Sequence, residues 1–470
     1  MILEASELRE QTNQIYGVGQ QLIESNQLLY EDKRINRTIT MHSILEGITD
    51  PRLKAHTAIM LKNTRDYIDN LDETTRMINI GDWEKYAFDM VRTVFPNLAA
   101  HELASVQPLL GPVGLVFYMK FVYGRTKGAA VAGQDIVENP NESYSSEEID
   151  REEVGTGTGA ATNFTGTLSY LPLKPGTIVF KSTASSVELE VIDDGNGALI
   201  GDIGAGTNTI NYVTGAFDFD FSSAPDVGED VYAEYSYDSE GGEETGEIDM
   251  QITSSPVVAK KRKLRTRWSV EAQQDLRNSH GLEAEVEQVS AINNELKFEI
   301  DREMITNMNA IAQNSVTAFS RTPDTGVSYT EHKLAFIDTL TEGSNSIFNT
   351  TQRATATWFV GGVNVANLVE TLPGFISQPR PKGTRAVYKS GNLNGQWDFW
   401  KDPNFDSNSF LMGYRGDSMY EIGFIFAPYI LGYTTATIML DDFVGRKGMM
   451  SRYGKKAIEG KFYCTGGVTT

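Results

Sequence analysis

Apolar residues recur at helical spacing for longer between Gly281 and Ile311 than anywhere else in the chain. Leu282, Val286, Val289, Leu296, Ile300 and Met304 fall on one face, while Glu283, Glu287, Asp301 and Arg302 turn elsewhere. No proline interrupts the run. At 1.5 Å per residue it predicts a helix of roughly 45 Å, long enough to cross a domain as a strut. Phe298 and Ile305 lie seven apart on another side, so the pattern predicts a spine covered on two faces, although an ordinary long core helix has the same periodicity.

Residues 1–82 are polar and helix-prone. Amphipathic pieces at Leu8–Leu29 and Arg52–Leu71, broken by Gly17, Gly47 and Pro51, read as an arm whose helices need a partner surface, or as a plain helical subdomain. Apolar density rises from Trp83: a helix over Trp83–Val94, a stop at Pro96, a turn at Gly111-Pro112 and a strand over Leu115–Tyr123. The acidic run Gln134–Glu153 reads as a solvated loop. Short runs rich in Val, Ile, Phe and Tyr then recur between Gly, Asn and Asp clusters, at Thr177–Phe180, Val187–Ile192, Thr209–Val213, Ala216–Phe221 and Val231–Tyr237. They predict a separate all-β module over about 155–240, a sandwich or barrel. After a second acidic stretch, Asp238–Asp249, the chain becomes extended again at Met250–Ala259. The module is therefore an insertion at the tip of an excursion with legs Leu115–Tyr123 and Met250–Trp268.

A short helix, Val270–Arg277, leads into the spine. Beyond Ile311 come a polar loop to Ser328, a helix over Glu331–Leu340, a strand over Ala354–Val360 and a helix over Val363–Leu372. Strands follow at Ala386–Lys389, Trp397–Trp400, Ser409–Tyr414 and Gly423–Ala427, with a β-prone segment at Thr434–Leu440, giving a mixed α/β region with its own core.

The formal net charge of -22 over 470 residues disfavours gripping nucleic acid phosphates across a broad surface, although a protein that encloses DNA without sticking to it would tolerate such a charge. Against this background the returning leg carries a basic cluster: Lys260, Lys261, Arg262, Lys263, Arg265 and Arg267, ending at Trp268. A nucleic-acid patch is one reading. With Trp268 as its lone aromatic and the chain so acidic, pairing with acidic surface on a neighbouring copy is the expectation carried forward.

A single cysteine, Cys464, and five scattered histidines exclude a disulfide framework and a Cys-rich zinc site, and place the chain in a reducing compartment. No run of about 18 apolar residues occurs and the start has no signal-peptide pattern, so neither a membrane span nor export is expected. His101-Glu102 lacks the second histidine of a zincin. Neither a G-x-S-x-G elbow nor a Walker phosphate loop is present, and Gly155–Ala160 (GTGTGA) is a linker because no core strand precedes it. Cys464 reads as a packing residue. The expectation is no enzyme, no cofactor and no metal.

Several segments together resemble the major capsid protein family of T-even-like tailed bacteriophages. They are Met90–Leu98 (MVRTVFPNL), Val106-Gln107-Pro108, Gly111-Pro112-Val113-Gly114 with the strand to Gly124, Lys263–Glu287, Ala427-Pro428-Tyr429 and Ser451-Arg452-Tyr453-Gly454. Their order and spacing over residues 83–460 carry the resemblance. It implies an α+β chain with the tailed-phage capsid fold, shared with herpesvirus capsid floors and encapsulins. The organisation implied is an N-terminal arm over 1–82 and a peripheral domain over 83–124 and 250–313 with the spine at 281–311. An extended-loop tip at 125–249 would carry the inserted β domain, followed by an axial domain at 314–425 and strands at 426–470 that return to the spine.

The resemblance implies a shell subunit that associates with itself as hexamers and pentamers, meets vertex, portal, scaffold or decoration proteins, and encloses double-stranded DNA without sequence-specific binding. It would be assembled in the host cytoplasm and located in the virion. A vertex protein or an encapsulin-like compartment protein is the alternative. Family members of this type carry an N-terminal segment removed after a short [Leu/Ile]-x-Glu signal. Ile44-Leu45-Glu46 before Gly47 and Leu22-Ile23-Glu24 before Ser25 match it, and an arm retained and lacing neighbours is the expectation.

Overall fold

A computed structural model describes residues 16–25, 28–32, 37–72, 98–137, 139–241, 245–323, 325–379, 387–416, 418, 420–435, 437–439 and 444–469. The helix expected over Trp83–Val94 and its stop at Pro96 lie outside these residues. The chain divides into two compact units, one of residues 120–251 and one of residues 1–119 together with 252–470. The outgoing strand Val113–Tyr123 and the returning strand Ile248–Val258 pair as a two-stranded ribbon, and the division falls within both.

In the larger unit two helices follow the returning leg. Val270–His280 is capped by Ser269, whose side chain accepts from the Ala272 amide at 3.2 Å. It ends at Gly281, where φ is 65° and the amides of Gly281 and Leu282 return to the carbonyls of Arg277 and Leu276. That left-handed position suits glycine, and it separates the short helix from the spine. The spine itself runs Ala284–Ile311. Its stripe is not buried throughout: Leu282 and Val286 are 43% and 44% exposed, while Leu296, Phe298, Ile300, Met304, Ile305 and Met308 are buried. Asp301, which the periodicity turned elsewhere, is buried as well.

Two sheets flank the spine's unit. The first has the order Lys260–Ser269, Val444–Ala457, Phe424–Thr434, Ser105–Val106, with Ile438–Met439 paired to Val444–Ala457. Helix Pro51–Asp72 packs on Phe424–Thr434 and buries Ala55, Ala58, Ile59, Met60 and Leu61. Asn63 fixes it there by donating to the carbonyls of Leu109 (2.9 Å) and Tyr429 (3.1 Å). The sequence reads residues 1–82 as an arm or as a plain helical subdomain. In the structure Leu22, Met41, Ile44, Leu45 and residues 58–61 belong to the main core, because the small side chains of Ala55 and Ala58 let this helix lie close against its neighbours.

The second sheet has the order Asn314–Ser315, Tyr463–Thr469, Ser409–Gly413, Trp358–Gly361, Trp397–Lys401, Tyr388–Leu393, Phe375–Ser377, with Phe319–Ser320 also paired to Tyr463–Thr469. Phe359, Phe399, Phe410 and Met412 fill its core together with helices Phe336–Thr351 and Val363–Val369. The first of these helices runs well past its expected end at Leu340. Gly343 and Ser344, poor helix formers, sit where the helix meets the sheet and are buried; a Cβ on Gly343 would lie 3.0 Å from Met412 Sδ.

Residues 120–251 form a two-layer β unit. One sheet has the order Glu148–Thr156, Asp230–Ser236, Val179–Ala184, Val187–Asp193, Leu199–Gly201; the other has Thr209–Ile210, Ala216–Asp220, Asn163–Thr167. Period-two alternation sends Phe180, Val191, Val231, Ala233 and Tyr235 of the first sheet against Phe164, Phe217 and Phe219 of the second. The Phe180 and Phe219 rings lie 4.5 Å apart. Part of the acidic run expected as a loop is instead strand: Glu148–Thr156 pairs along Asp230–Ser236, and Ile149 is core. Its carboxylates sit at an edge strand where one face meets water, so the charge did not forbid the strand.

Gly460 closes the larger unit at the end of the spine. A Cβ there would lie 1.9 Å from the Ile311 carbonyl oxygen, and the Gln313 amide bonds to the Gly460 carbonyl at 3.2 Å. Gly460→Ala is expected to force the two backbones apart and cost about 1–3 kcal/mol, measured as a lowered urea midpoint of the unassembled chain. An unchanged midpoint would mean that this approach is not maintained in solution.

Candidate functional site

The returning leg continues into Lys260–Ser269, which pairs residue for residue with the strand Val444–Ala457, from Lys260 opposite Tyr453 to Ser269 opposite Val444. Successive side chains of a strand point to opposite faces, so this pairing sorts the basic cluster into two sets.

One set faces the spine helix. Arg262 bonds through Nη1 to Glu299 Oε2 at 2.7 Å and through Nη2 to Glu303 Oε2 at 2.5 Å, and also bonds to the Tyr453 hydroxyl. Tyr453 donates to Glu303, and Lys455 Nζ meets Glu303 Oε1 at 2.5 Å. Farther along, Lys447 is 4% exposed and lies 2.6 Å from Glu285 Oε1, while Thr266 bonds to Gln288. Trp268 is buried and donates from Nε1 to Gln273 at 3.2 Å. The spine thus presents Glu285, Gln288, Glu299 and Glu303 to this sheet. Arg262 and Trp268, both expected at a contact with a neighbour, are bound within the chain: Arg262 to the spine's carboxylates, Trp268 to core and to Gln273.

The other set is Lys261, Lys263, Arg265 and Arg267, all exposed. Opposite them on the next strand stand Arg452, Met450, Gly448 and Arg446. Arg452 lies over the Tyr429 ring at 5.2 Å. Among the described residues the side chains of Lys261, Lys263, Arg265 and Arg267 make no hydrogen bond or ion pair. Lys260, at the start of the strand, is also exposed. Charged residues along an edge strand deter edge-to-edge pairing, which accounts for some of this row but not for its restriction to one sign.

The remaining sites expected from the sequence are dispersed. Glu46 and Gly47 are exposed, but Ile44 and Leu45 just before them are buried in the main core. Cys464 is buried in the second sheet's core, where burial and then Glu342 push its thiol up to about 11. Among the described residues no group of three or more His, Cys, Asp and Glu is placed to hold a metal ion, and no helix is long and apolar enough to cross a membrane.

Two spine carboxylates are shifted in opposite directions. Burial works against the Glu303 carboxylate, yet hydrogen bonds from Lys455, Tyr453 and Arg262 outweigh it and hold the group down at about 2. Burial pushes Asp301 up to about 7, against the pull of Lys297 and of the Ala100 amide, which donates to Oδ1 at 3.2 Å. Asp301's burial is not legible from spacing alone, because a carboxylate between Ile300 and Arg302 fits an outward position on a helix equally well.

The signs of these shifts set opposite pH dependences. Glu303 stabilises the fold above its ordinary range near pH 4.5 and loses that contribution as pH falls through about 2. Glu303→Gln should therefore cost about 2–4 kcal/mol in urea unfolding at pH 7, with the difference from wild type closing as pH drops toward 2. For Asp301 the native state holds its proton more tightly than the unfolded chain does, so wild type loses stability as pH rises from about 4 to about 7. Asp301→Asn should remove up to roughly 3–4 kcal/mol of that decline. Parallel pH profiles for wild type and Asp301→Asn would show that Asp301 is solvated in solution.

The Major capsid protein Gp23 family matches residues 80–467. The chain is 26% identical over 377 residues to the major capsid protein of Vibrio phage KVP40, covering 73% of this chain and 69% of that one. It is 23% identical over 401 residues to that of Enterobacteria phage T4, covering 78% and 73%. Among solved structures, one from Microbacterium phage Oxtober96 aligns over 79% of this chain and 91% of its own, at 10% identity and a TM-score of 0.38. The capsid of jumbo bacteriophage PhiKZ aligns over 78% and 91%, at 7% identity and a TM-score of 0.37. Because the family match runs unbroken through the outgoing leg, the β unit, the spine and both sheets, the chain belongs to the Major capsid protein Gp23 family.

Proposed function

We propose that many copies of this chain associate as hexamers, with pentamers where the lattice curves, into the icosahedral head shell of a tailed bacteriophage, enclosing double-stranded DNA without reading its sequence. The family match over residues 80–467 carries this reading. Vertex, portal, scaffold and decoration proteins are its further partners, and the host cytoplasm is where it assembles. The exposed basic residues of the returning leg take part in contacts between copies, and the N-terminal arm, with its candidate processing position at Glu46-Gly47, is retained and laces neighbouring copies.

The surface of a single chain supports self-association. Leu110, Val113 and Leu115 on the outgoing side are 56%, 62% and 51% exposed, and Val258 on the returning strand is 57% exposed. The Ala259 amide bonds to the Pro112 carbonyl at 2.9 Å, which brings Val258 beside Val113. An apolar patch on a leg, away from the core that the chain builds for itself, is what a neighbouring copy would cover. Each contact need only be weak, since a closed lattice multiplies it.

Electron microscopy of the purified chain over a range of salt and protein concentration tests this. Shells, tubes or six-fold rings are expected. A strictly monomeric particle, even after scaffold and chaperone are added, would overturn the proposal. Val113→Lys combined with Leu115→Lys should leave the unfolding midpoint within about 0.5 kcal/mol of wild type and abolish ordered assembly; normal assembly by this variant would remove the leg from the interface.

A further inference from the structure

The chain's negative charge is not spread evenly. Residues 120–251 hold 25 of the 63 Asp and Glu but only 6 of the 41 Lys and Arg, which leaves the other 338 residues nearly neutral. Each of those 6 cations is already engaged inside its own unit. Lys120 meets Asp135 at 3.6 Å, Arg125 meets Glu247 at 3.8 Å, Arg151 meets Asp230 at 2.5 Å and Lys181 meets Glu234 at 2.9 Å. Lys174 pairs with Glu147, and the buried Lys127 donates to the carbonyls of Tyr144 and Ser146. The β unit therefore has a large carboxylate excess with no cation of its own left to meet it.

The returning leg has the opposite excess. Lys261, Lys263, Arg265 and Arg267 stand in one row, two residues or about 7 Å apart, exposed and without a side-chain partner among the described residues. The β unit offers a row of the same spacing: Glu188 and Glu190 are exposed at alternate positions of Val187–Asp193, with Asp202 beside them, its carboxylate accepting from the Glu190 amide at 3.1 Å.

We propose that the basic row of one copy docks on the acidic β unit of a second copy, with Glu188, Glu190 and Asp202 facing Lys261, Lys263, Arg265 and Arg267. This rests on the self-assembly reading above and names the two surfaces that meet. Complementary fields of this kind guide encounter and fix register more than they add affinity, so the contact orders the lattice while the apolar legs hold it. A nucleic acid is the other polyanion that a basic row can take. The row has no exposed aromatic to stack bases, and a unit with 25 carboxylates is supplied in equal number by every copy that joins.

The test uses full-length chains, half of them labelled with nitrogen-15, assembled together and treated with a zero-length carbodiimide that joins lysine to carboxylate. Mixed-isotope peptides linking Lys261 or Lys263 to carboxylates of residues 120–251 are expected. Mixed links confined to carboxylates elsewhere, links only between like isotopes, or lysines that become shielded only when double-stranded DNA is added would each overturn the proposal. As a second measurement, Lys261→Glu, Lys263→Glu, Arg265→Glu and Arg267→Glu together should raise the concentration needed for assembly about tenfold at low salt, with little effect at high salt. Adding Glu188→Lys, Glu190→Lys and Asp202→Lys should restore it, and failure to restore it would reject this pairing of rows. Microscopy separates the two levels: shells with the wrong links sink this inference alone, whereas no assembly under any condition sinks the self-assembly reading with it.

Discussion

The antiparallel ladder between Lys260–Ser269 and Val444–Ala457 is the constraint on which the larger unit depends. It joins segments almost two hundred residues apart, so its closure is entropically costly and has to be offset by what it brings together. It sets the returning leg beside the spine, gives Phe424–Thr434 a second neighbour and thereby fixes the strand on which helix Pro51–Asp72 packs. It also decides, by register alone, which basic side chains turn inward. A shift of one residue would bury Lys261 and Lys263 and expose Arg262 and Trp268.

The contact between this sheet and the spine is polar. Three cations, Arg262, Lys447 and Lys455, meet Glu285, Glu299 and Glu303, and the Tyr453 hydroxyl completes the shell around Glu303. Interactions of this type add little net stability compared with apolar packing, but they are demanding in geometry and so hold a long helix in one register against a strand. The buried residues of the spine are otherwise apolar, and Asp301 is the exception among them. One helix therefore carries one carboxylate whose charge is favoured by donors and another whose charge is disfavoured by burial, so the stability it confers responds to acid and to base through different residues.

The two units differ in chemistry as well as topology. The β unit is closed around a cluster of phenylalanines of its own and is rich in carboxylates. The larger unit is nearly balanced in charge and leaves both an apolar leg and an unpaired basic row in water. In the assembly proposed above, these unequal surfaces supply the contacts between copies.

Local periodicity was enough to determine several elements. Local pattern marked a short helix at Val270–Arg277 and most of the spine, and the β-prone runs Thr209–Val213 and Ala216–Phe221 marked the hairpin in which Ile210 pairs with Phe217. These succeeded because a helix or a tight hairpin is stabilised by residues close in sequence, whose spacing can be read directly. The strand Val444–Ala457 escaped, since Gly445, Gly448, Gly454 and its lysines have little strand preference and only the strands on either side make it extended. For the same reason a row of cations was legible as a cluster while its division was not. Sequence spacing shows that Arg262 and Lys263 point opposite ways, but which way meets Glu299 and Glu303 and which meets water is settled by the distant strand and helix that the tertiary fold sets against them.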